Sequence, residues 1–149
     1  MRVLVTGTEG YLGHVLVPTL FDAGHDVVGV DTGFYREAQL FRGVDRQAYT
    51  RFDDVRSLTP LHLEGVEAVI HMAELSNDPL GELAPTITYD INHEGSLHLA
   101  RLAKAAGVER FVYMSSCSVY GVATGRGHHR RRCGQSSNGV CGMQGVRRA

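Results

Sequence analysis

The run Arg2-Val3-Leu4-Val5-Thr6 opens directly onto glycines at positions 7, 10 and 13, and a helical stretch follows with Leu12, Val15, Leu16 and Leu20 on one face. A strand, a glycine turn and a helix in that order leave few folds open. Gly7 lets the chain turn sharply, Gly10 lets the backbone approach a pyrophosphate, and Gly13 packs helix on strand, while the helix N-terminus attracts the phosphate charge. Asp31 closes the next strand 24 residues after Gly7, near the roughly 20 at which an acid binds an adenosine ribose. A carboxylate there accepts from both ribose hydroxyls and repels a 2′-phosphate, which favours NAD over NADP. Arg36 is the nearby residue that would suit NADP, and an Asp31 with no ligand would simply cap the following turn.

The pattern then alternates. Val27 to Asp31 reads as a second strand, Tyr49 to Phe52 as a third, Ala68 to His71 as a fourth and Phe111 to Ser115 as a fifth. Gly24 caps the first helix, in which Pro18 predicts a kink or an early end. A long helix is predicted from Pro85 to Ala106, with Ile91, Gly95, Leu99, Leu102 and Ala106 at helical spacing, stopped by Gly107. Strands alternating with helices imply an α/β, doubly wound parallel sheet of the Rossmann type, here truncated after its fifth strand. His71, at a strand end, reads as a hydrogen-bonded core residue.

Charge divides the chain. All 16 acidic residues lie at or before Glu109, whereas six of the 15 basic residues (Arg126, Arg130, Arg131, Arg132, Arg147, Arg148) lie after Gly121. From Val122 to Ala149 there is no Leu, Ile, Phe, Tyr, Asp or Glu, so that stretch has neither periodicity nor material for a core. The expected organisation is therefore a single dinucleotide-binding unit over residues 1–121, incomplete, and a disordered basic tail over 122–149. The six arginines lack interleaved aromatics, which argues against a nucleic-acid binder. No apolar run reaches the roughly 18 residues of a membrane helix, and residues 1–6 are no signal peptide. Three irregularly spaced cysteines suit a reducing cytoplasm, and no metal site is expected, since His128, His129, Cys133 and Cys141 match no common zinc pattern.

The T-G-x-x-G-x-x-G turn, Asp31, Asp54-Val55-Arg56, Val69-Ile70-His71-Met72-Ala73 and Ser115-Ser116-Cys117-Ser118-Val119-Tyr120-Gly121 together resemble the extended short-chain dehydrogenase/reductase family. Within it they are most similar to NAD-dependent sugar-nucleotide epimerases and dehydratases, over residues 1–121. The resemblance implies that the Tyr11 and Leu12 amides meet the pyrophosphate and that Asp54 and Val55 read the adenine, the carboxylate accepting from the exocyclic amine. It also implies that Met72, Ala73 and Glu74 lie beside the nicotinamide ribose; Glu74 is a departure, because small residues are commoner there. Asn92 matches a helix asparagine that is mostly structural. Ser116 would hydrogen-bond the substrate oxygen, positioning rather than attacking, while Tyr120 packs beside the site and is not the catalytic tyrosine. A nucleotide sugar as substrate, and a homodimer for the parent enzyme, follow from the same resemblance.

That chemistry needs a tyrosine whose phenol is acidified by a lysine four residues later. The sequence has no Tyr after Tyr120 and no Lys after Lys104, so the pair is absent. The genetic code suggests why. Codons for Gln135 to Val146 read one base out of register can give Ser-Pro-Gln-Thr-Ala-Tyr-Ala-Glu-Cys-Lys-Val, which restores Tyr-x-x-x-Lys where the family carries it. Codons for His128 to Gly134 can give Ile-Thr-Asp-Glu-Asp-Ala, an acidic stretch of the kind that precedes it. A frameshift near Thr124 to Gly127, and a chain with no turnover, are the resulting expectations.

Overall fold

The computed structural model describes residues 1–38, 48–76 and 78–116. Tyr120 and the tail at 122–149 lie outside the described residues. Five strands, β1 (Arg2–Thr6), β2 (Asp26–Asp31), β3 (Tyr49–Phe52), β4 (Ala68–His71) and β5 (Arg110–Tyr113), form one sheet in the order β3-β2-β1-β4-β5. Every pairing is parallel. The chain winds outward from β1 to β3 and then crosses back to β4 and β5, so the strand order reverses between β1 and β4. In doubly wound sheets, ligands bind at that switch point, beyond the carboxyl ends of the strands. The helices are α1 (Tyr11–Asp22), α2 (Asp78–Leu83), α3 (Pro85–Tyr89) and α4 (Gly95–Ala105), with 3-10 turns at Arg36–Ala38 and Pro60–Leu63 and a π-helical turn at Asp90–Glu94. No helix among the described residues is long and apolar enough to cross a membrane.

The described residues group into two compact units. Met1–Ala73 and Ser96–Met114 form the first, and Glu74–Gly95 with Ser115 and Ser116 belong to the second. The first holds the sheet and both apolar clusters. Alternation along β1 sends Val3 and Val5 to one face, where they pack with Val17, Val27 and Ala68. Leu4 goes to the other, with Val30, Val69, Leu58, Leu63, Leu99 and Ala103. Both faces are covered, which is why these strands read as nearly continuous apolar runs.

Helix α1 does not end early at Pro18, and its buried face differs from the expected one. It runs through Pro18 to Asp22, and ends as Gly24 takes φ +80° and donates its N–H to the Phe21 carbonyl at 2.9 Å. Its inward face is Gly13, Leu16, Val17, Leu20 and Phe21, while Leu12 and Val15 face solvent. The cause is contact at Gly13. A Cβ there would lie 2.4 Å from both the Gly7 and Thr8 carbonyl oxygens, so this residue must face the turn after β1 and the helix is rotated accordingly.

The long helix is interrupted. The π-turn at Asp90–Glu94 places an extra residue in one turn, and Thr88, Asn92, Ser96 and Ala103 are buried outside the expected face. Of the expected face, Gly95 and Leu99 are buried, Ile91 and Leu102 are half-buried and Ala106 is exposed. β5 stops at Tyr113, short of Ser115, because its partner β4 ends at His71. After β3, Asp53 accepts from the Asp54 amide at 2.8 Å and from the Ser57 hydroxyl, with His62 Nε2 3.4 Å away. His62 Nδ1 in turn accepts from the Thr59 amide at 3.1 Å, tying the 3-10 turn to the strand end.

Gly13→Ala is expected to lower stability by about 3 kcal/mol, because neither carbonyl oxygen can retreat. Gly10→Ala, whose nearest obstacle is the Gly7 oxygen at 3.4 Å, should stay within about 1 kcal/mol. Urea denaturation of the two variants measures the contrast. The Ser57 hydroxyl, helped by the Asp54 amide and His62 and opposed by burial, holds the Asp53 carboxyl below its usual 3.8. A depressed carboxyl contributes stability above its unfolded pKa and loses it as pH falls through the folded value. Thermal melts should therefore show a fall in Tm below about pH 4 that is smaller in Asp53→Asn, itself less stable than the wild type at neutral pH.

Candidate functional site

The carboxyl ends of β1, β2 and β4 converge on the glycine turn. Gly7 adopts φ +84° and donates its N–H to the Val30 carbonyl at 2.8 Å. A Cβ at Gly7 would meet Ala73 N at 3.1 Å and the Met72 carbonyl carbon at 3.2 Å, so the turn after β4 rests directly on it. Gly10 is the N-cap of α1, with no side-chain acceptor, and the first helical turn carries no acidic residue. The uncapped positive end of a twelve-residue helix thus stands at the sheet edge, and Tyr11 and Leu12 beside it are exposed. Among the described residues, only the Gly7 oxygen comes near the space a Gly10 Cβ would fill. A cradle of bare backbone amides is the donor set a pyrophosphate requires, so the residues present fit a dinucleotide.

Asp31 is already engaged. One carboxylate oxygen accepts from the Glu9 amide at 3.0 Å and the other from the Gly33 amide at 2.7 Å. It therefore both caps its own turn and ties the glycine loop to β2. A carboxylate offers about four lone-pair sites, so acceptor capacity remains for ribose hydroxyls. Arg36 lies with its guanidinium 5.0 Å from the centre of the Phe52 ring, stacked on β3.

Asp54 and Val55 fall at the end of β3 with different roles. The Asp54 carboxylate accepts from Arg56 Nε at 2.9 Å and Nη2 at 2.6 Å, and from the Arg56 amide at 2.9 Å. The Arg56 side chain holds that carboxyl below the usual range, against the opposing effect of burial. Val55 is buried in the core, so only its main chain is free to face a base. Met72 and Ala73 donate their amides to Thr6 Oγ1, each at 3.1 Å, and Met72 shares its N–H with the Thr6 carbonyl at 3.2 Å. His71 is fully buried and hydrogen-bonded to Thr6 and Ser96, as a core histidine should be.

Glu74 and Ser116 belong to the second unit, and both are half-buried. There Asn92, buried on the π-turn, accepts from the Leu75 amide at 2.8 Å and donates to the Leu75 carbonyl at 2.9 Å, pinning the segment that carries Glu74. The structural reading of Asn92 matches this pairing. Among the described residues, no group of three His, Cys, Asp or Glu is arranged to hold a metal ion.

Several residues of the site had no motif to announce them. Thr8 and Thr50 pair through their hydroxyls at 3.1 Å beneath the glycine turn, over Gly29, whose Cβ would lie 2.7 Å from Thr50 Oγ1 and 2.9 Å from Thr8 Oγ1. A glycine inside the apolar strand at Val27 to Val30 was the available signal, since such a glycine marks close approach of another chain segment. Ser96 had none, and Thr6 heads the T-G-x-x-G-x-x-G turn, a spacing that carries no sign of its contact with the turn after β4.

Comparison with known proteins places this geometry. The chain is 36% identical over 129 residues to UDP-glucose 4-epimerase of Klebsiella pneumoniae, covering 81% of this chain and 93% of that one. It is 35% identical over 127 residues to UDP-glucose 4-epimerase of Mycolicibacterium smegmatis, covering 81% of this chain but 41% of the relative. Among solved structures, MoeE5 in complex with UDP-glucose and NAD superposes with a TM-score of 0.82 at 28% identity, over 99% of this chain and 47% of that one. The chain thus spans about half the length of the solved structures it matches. The family model for the NAD dependent epimerase/dehydratase family matches residues 3–137, beyond the Gly121 boundary. On that match, and on the likeness to the Klebsiella relative, the chain belongs to the NAD-dependent epimerase/dehydratase family.

Proposed function

We propose that this chain is the NAD-binding part of an epimerase or dehydratase acting on a nucleotide sugar, and that its 149 residues as they stand do not turn substrate over. The observation that carries the reading is the pairing of an uncapped helix N-terminus with Asp31 across one glycine turn, joined by the Glu9 amide. The Tyr11 and Leu12 amides bind the pyrophosphate, held at the switch point by the contacts of Gly7, Gly10 and Gly13. Asp31 accepts from the adenosine ribose. Asp54 and the Val55 main chain receive the adenine, with Asp54 oriented by Arg56. Met72, Ala73 and Glu74 flank the nicotinamide ribose, and Ser116 positions the substrate oxygen.

NAD, when bound, supplies the hydride acceptor and donor; the protein must supply the proton acceptor. That role belongs in the family to a tyrosine with its lysine, and this sequence has neither beyond Tyr120 and Lys104. Preference for NAD over NADP is supported by the Asp31 carboxylate and by Arg36, which is stacked on Phe52. A nucleotide sugar is supported by the bound UDP-glucose of the MoeE5 structure. A cytoplasmic location and a homodimeric full-length parent belong to the same reading, as does a tail produced by a one-base shift. Resequencing across codons 120–149 decides that last point.

Calorimetric titration of the 149-residue chain should give a Kd for NAD at least about tenfold below that for NADP, and Asp31→Asn should narrow the gap. Equal affinity for the two, or tighter NADP, would remove Asp31 from its role. Assays of epimerisation and dehydration should find no activity in this chain, whereas the reading restored by one base and extended through its natural end should have it. Turnover by the 149 residues that vanishes in Ser116→Ala would overturn the inactive reading.

A further inference from the structure

Beneath the turn that carries Met72 and Ala73 lies a row of buried polar groups: Thr6 on β1, His71 on β4 and Ser96 at the start of α4. Thr6 Oγ1 is 2.7 Å from His71 Nδ1, and His71 Nε2 is 2.7 Å from Ser96 Oγ. We infer that Ser96, His71 and Thr6 form a chain of hydrogen bonds with one fixed proton order, and that they are positioning residues for the nicotinamide end of the dinucleotide. The second half of this inference rests on the function proposed above; the first does not.

The proton order follows from counting donors. Around Thr6 Oγ1 stand the Met72 and Ala73 amides, which can only donate, and His71 Nδ1. A buried hydroxyl hydrogen requires an acceptor, and among the described residues Nδ1 is the one within reach. Nδ1 is therefore bare and the proton of the neutral imidazole sits on Nε2, which donates to Ser96 Oγ. If Nδ1 carried the proton, it would face the hydroxyl as a third donor, and Thr6 would have to release an amide or leave its own hydrogen unmet. The ring is fixed sideways as well, with Tyr113 at 5.8 Å and Phe111 at 6.4 Å between ring centres.

The chain ends where the site begins. By accepting the Ala73 amide and part of the Met72 amide, Thr6 holds the turn down on Gly7, where the distance to a would-be Cβ is 3.1 Å. The height of that turn sets the room beside the nicotinamide ribose, whereas the adenosine half is held from Asp31 and α1. Damage to the chain should therefore be felt at one end of the ligand.

Two measurements test this. In the nucleotide-free wild type, nitrogen-15 spectra of the histidine ring should show His71 with unprotonated Nδ1 and protonated Nε2 at neutral pH. The opposite tautomer, or an imidazolium, would overturn the proton order. Thr6→Val should weaken NAD about tenfold while the Kd for ADP, which lacks the nicotinamide half, stays within about twofold. Thr6→Ser should restore NAD affinity, and Ser96→Ala should give a smaller loss in the same direction. Equal loss of NAD and ADP, or no loss of either, would overturn the positioning role. A wild type that binds neither nucleotide would refute the proposed function and the positioning role with it, while the ring spectrum would still decide the proton order.

Discussion

The first turn of α1 meets the turn that follows β1 at a distance that no side chain permits, and the rest of the site depends on that contact. Gly13 lies so close to the Gly7 and Thr8 carbonyls that a methyl group would overlap both. Because the helix approaches this closely, its amides arrive at the level of the β1 end, where the sheet order reverses. Gly7, in a conformation favoured by glycine, then opens the turn and leaves space for the chain emerging from β4. Two backbone contacts, neither involving a side chain, bring three strand ends and one helix end to a single place.

Once the backbones are close, polar side chains beneath them have no water to turn to, and each must find a partner inside. Thr8 and Thr50 satisfy each other, and Thr6 takes the amides of the next turn. The carboxylate of Asp31 joins the loop to β2 through the Glu9 amide, a bond to a charged acceptor of about 1.5–3 kcal/mol. The same carboxylate is the group a ribose would address. A residue that closes its own loop is already held in one rotamer, so none has to be found if a ligand addresses it. Arg56 does for Asp54 what the loop amides do for Asp31.

Much of this was legible from residue order. β1 and β4 fall where their apolar runs predict, since a strand buried on both faces has little besides Val, Leu, Ile and Ala to show, whereas β3 falls in its expected range with largely exposed side chains. The glycine spacing and Asp31 were legible because each answers a local demand on the backbone or on charge. The interior of the helices was less so. Leu12 and Val15 have the spacing of a core face and stand in solvent, because Gly13, invisible to a hydrophobic pattern, sets the rotation of α1. Helical periodicity holds only in part after Pro85, where Gly95 and Leu99 are buried as expected but a π-turn accompanies the burial of Asn92 and Ser96.

The sequence by itself determined the parallel doubly wound sheet, the glycine turn, the acid at the end of β2 and the absence of a tyrosine–lysine pair. These are properties of neighbours along the chain, or of composition, and need no coordinates. Only the tertiary structure decided which polar residues meet. Thr6 and His71 are 65 positions apart, His71 and Ser96 are 25 apart, and Thr8 and Thr50 are 42 apart. Hydroxyl and imidazole side chains carry no periodic signal of their own. Their partners are set by strand register and by how closely two backbones approach, and both are fixed only when the sheet closes.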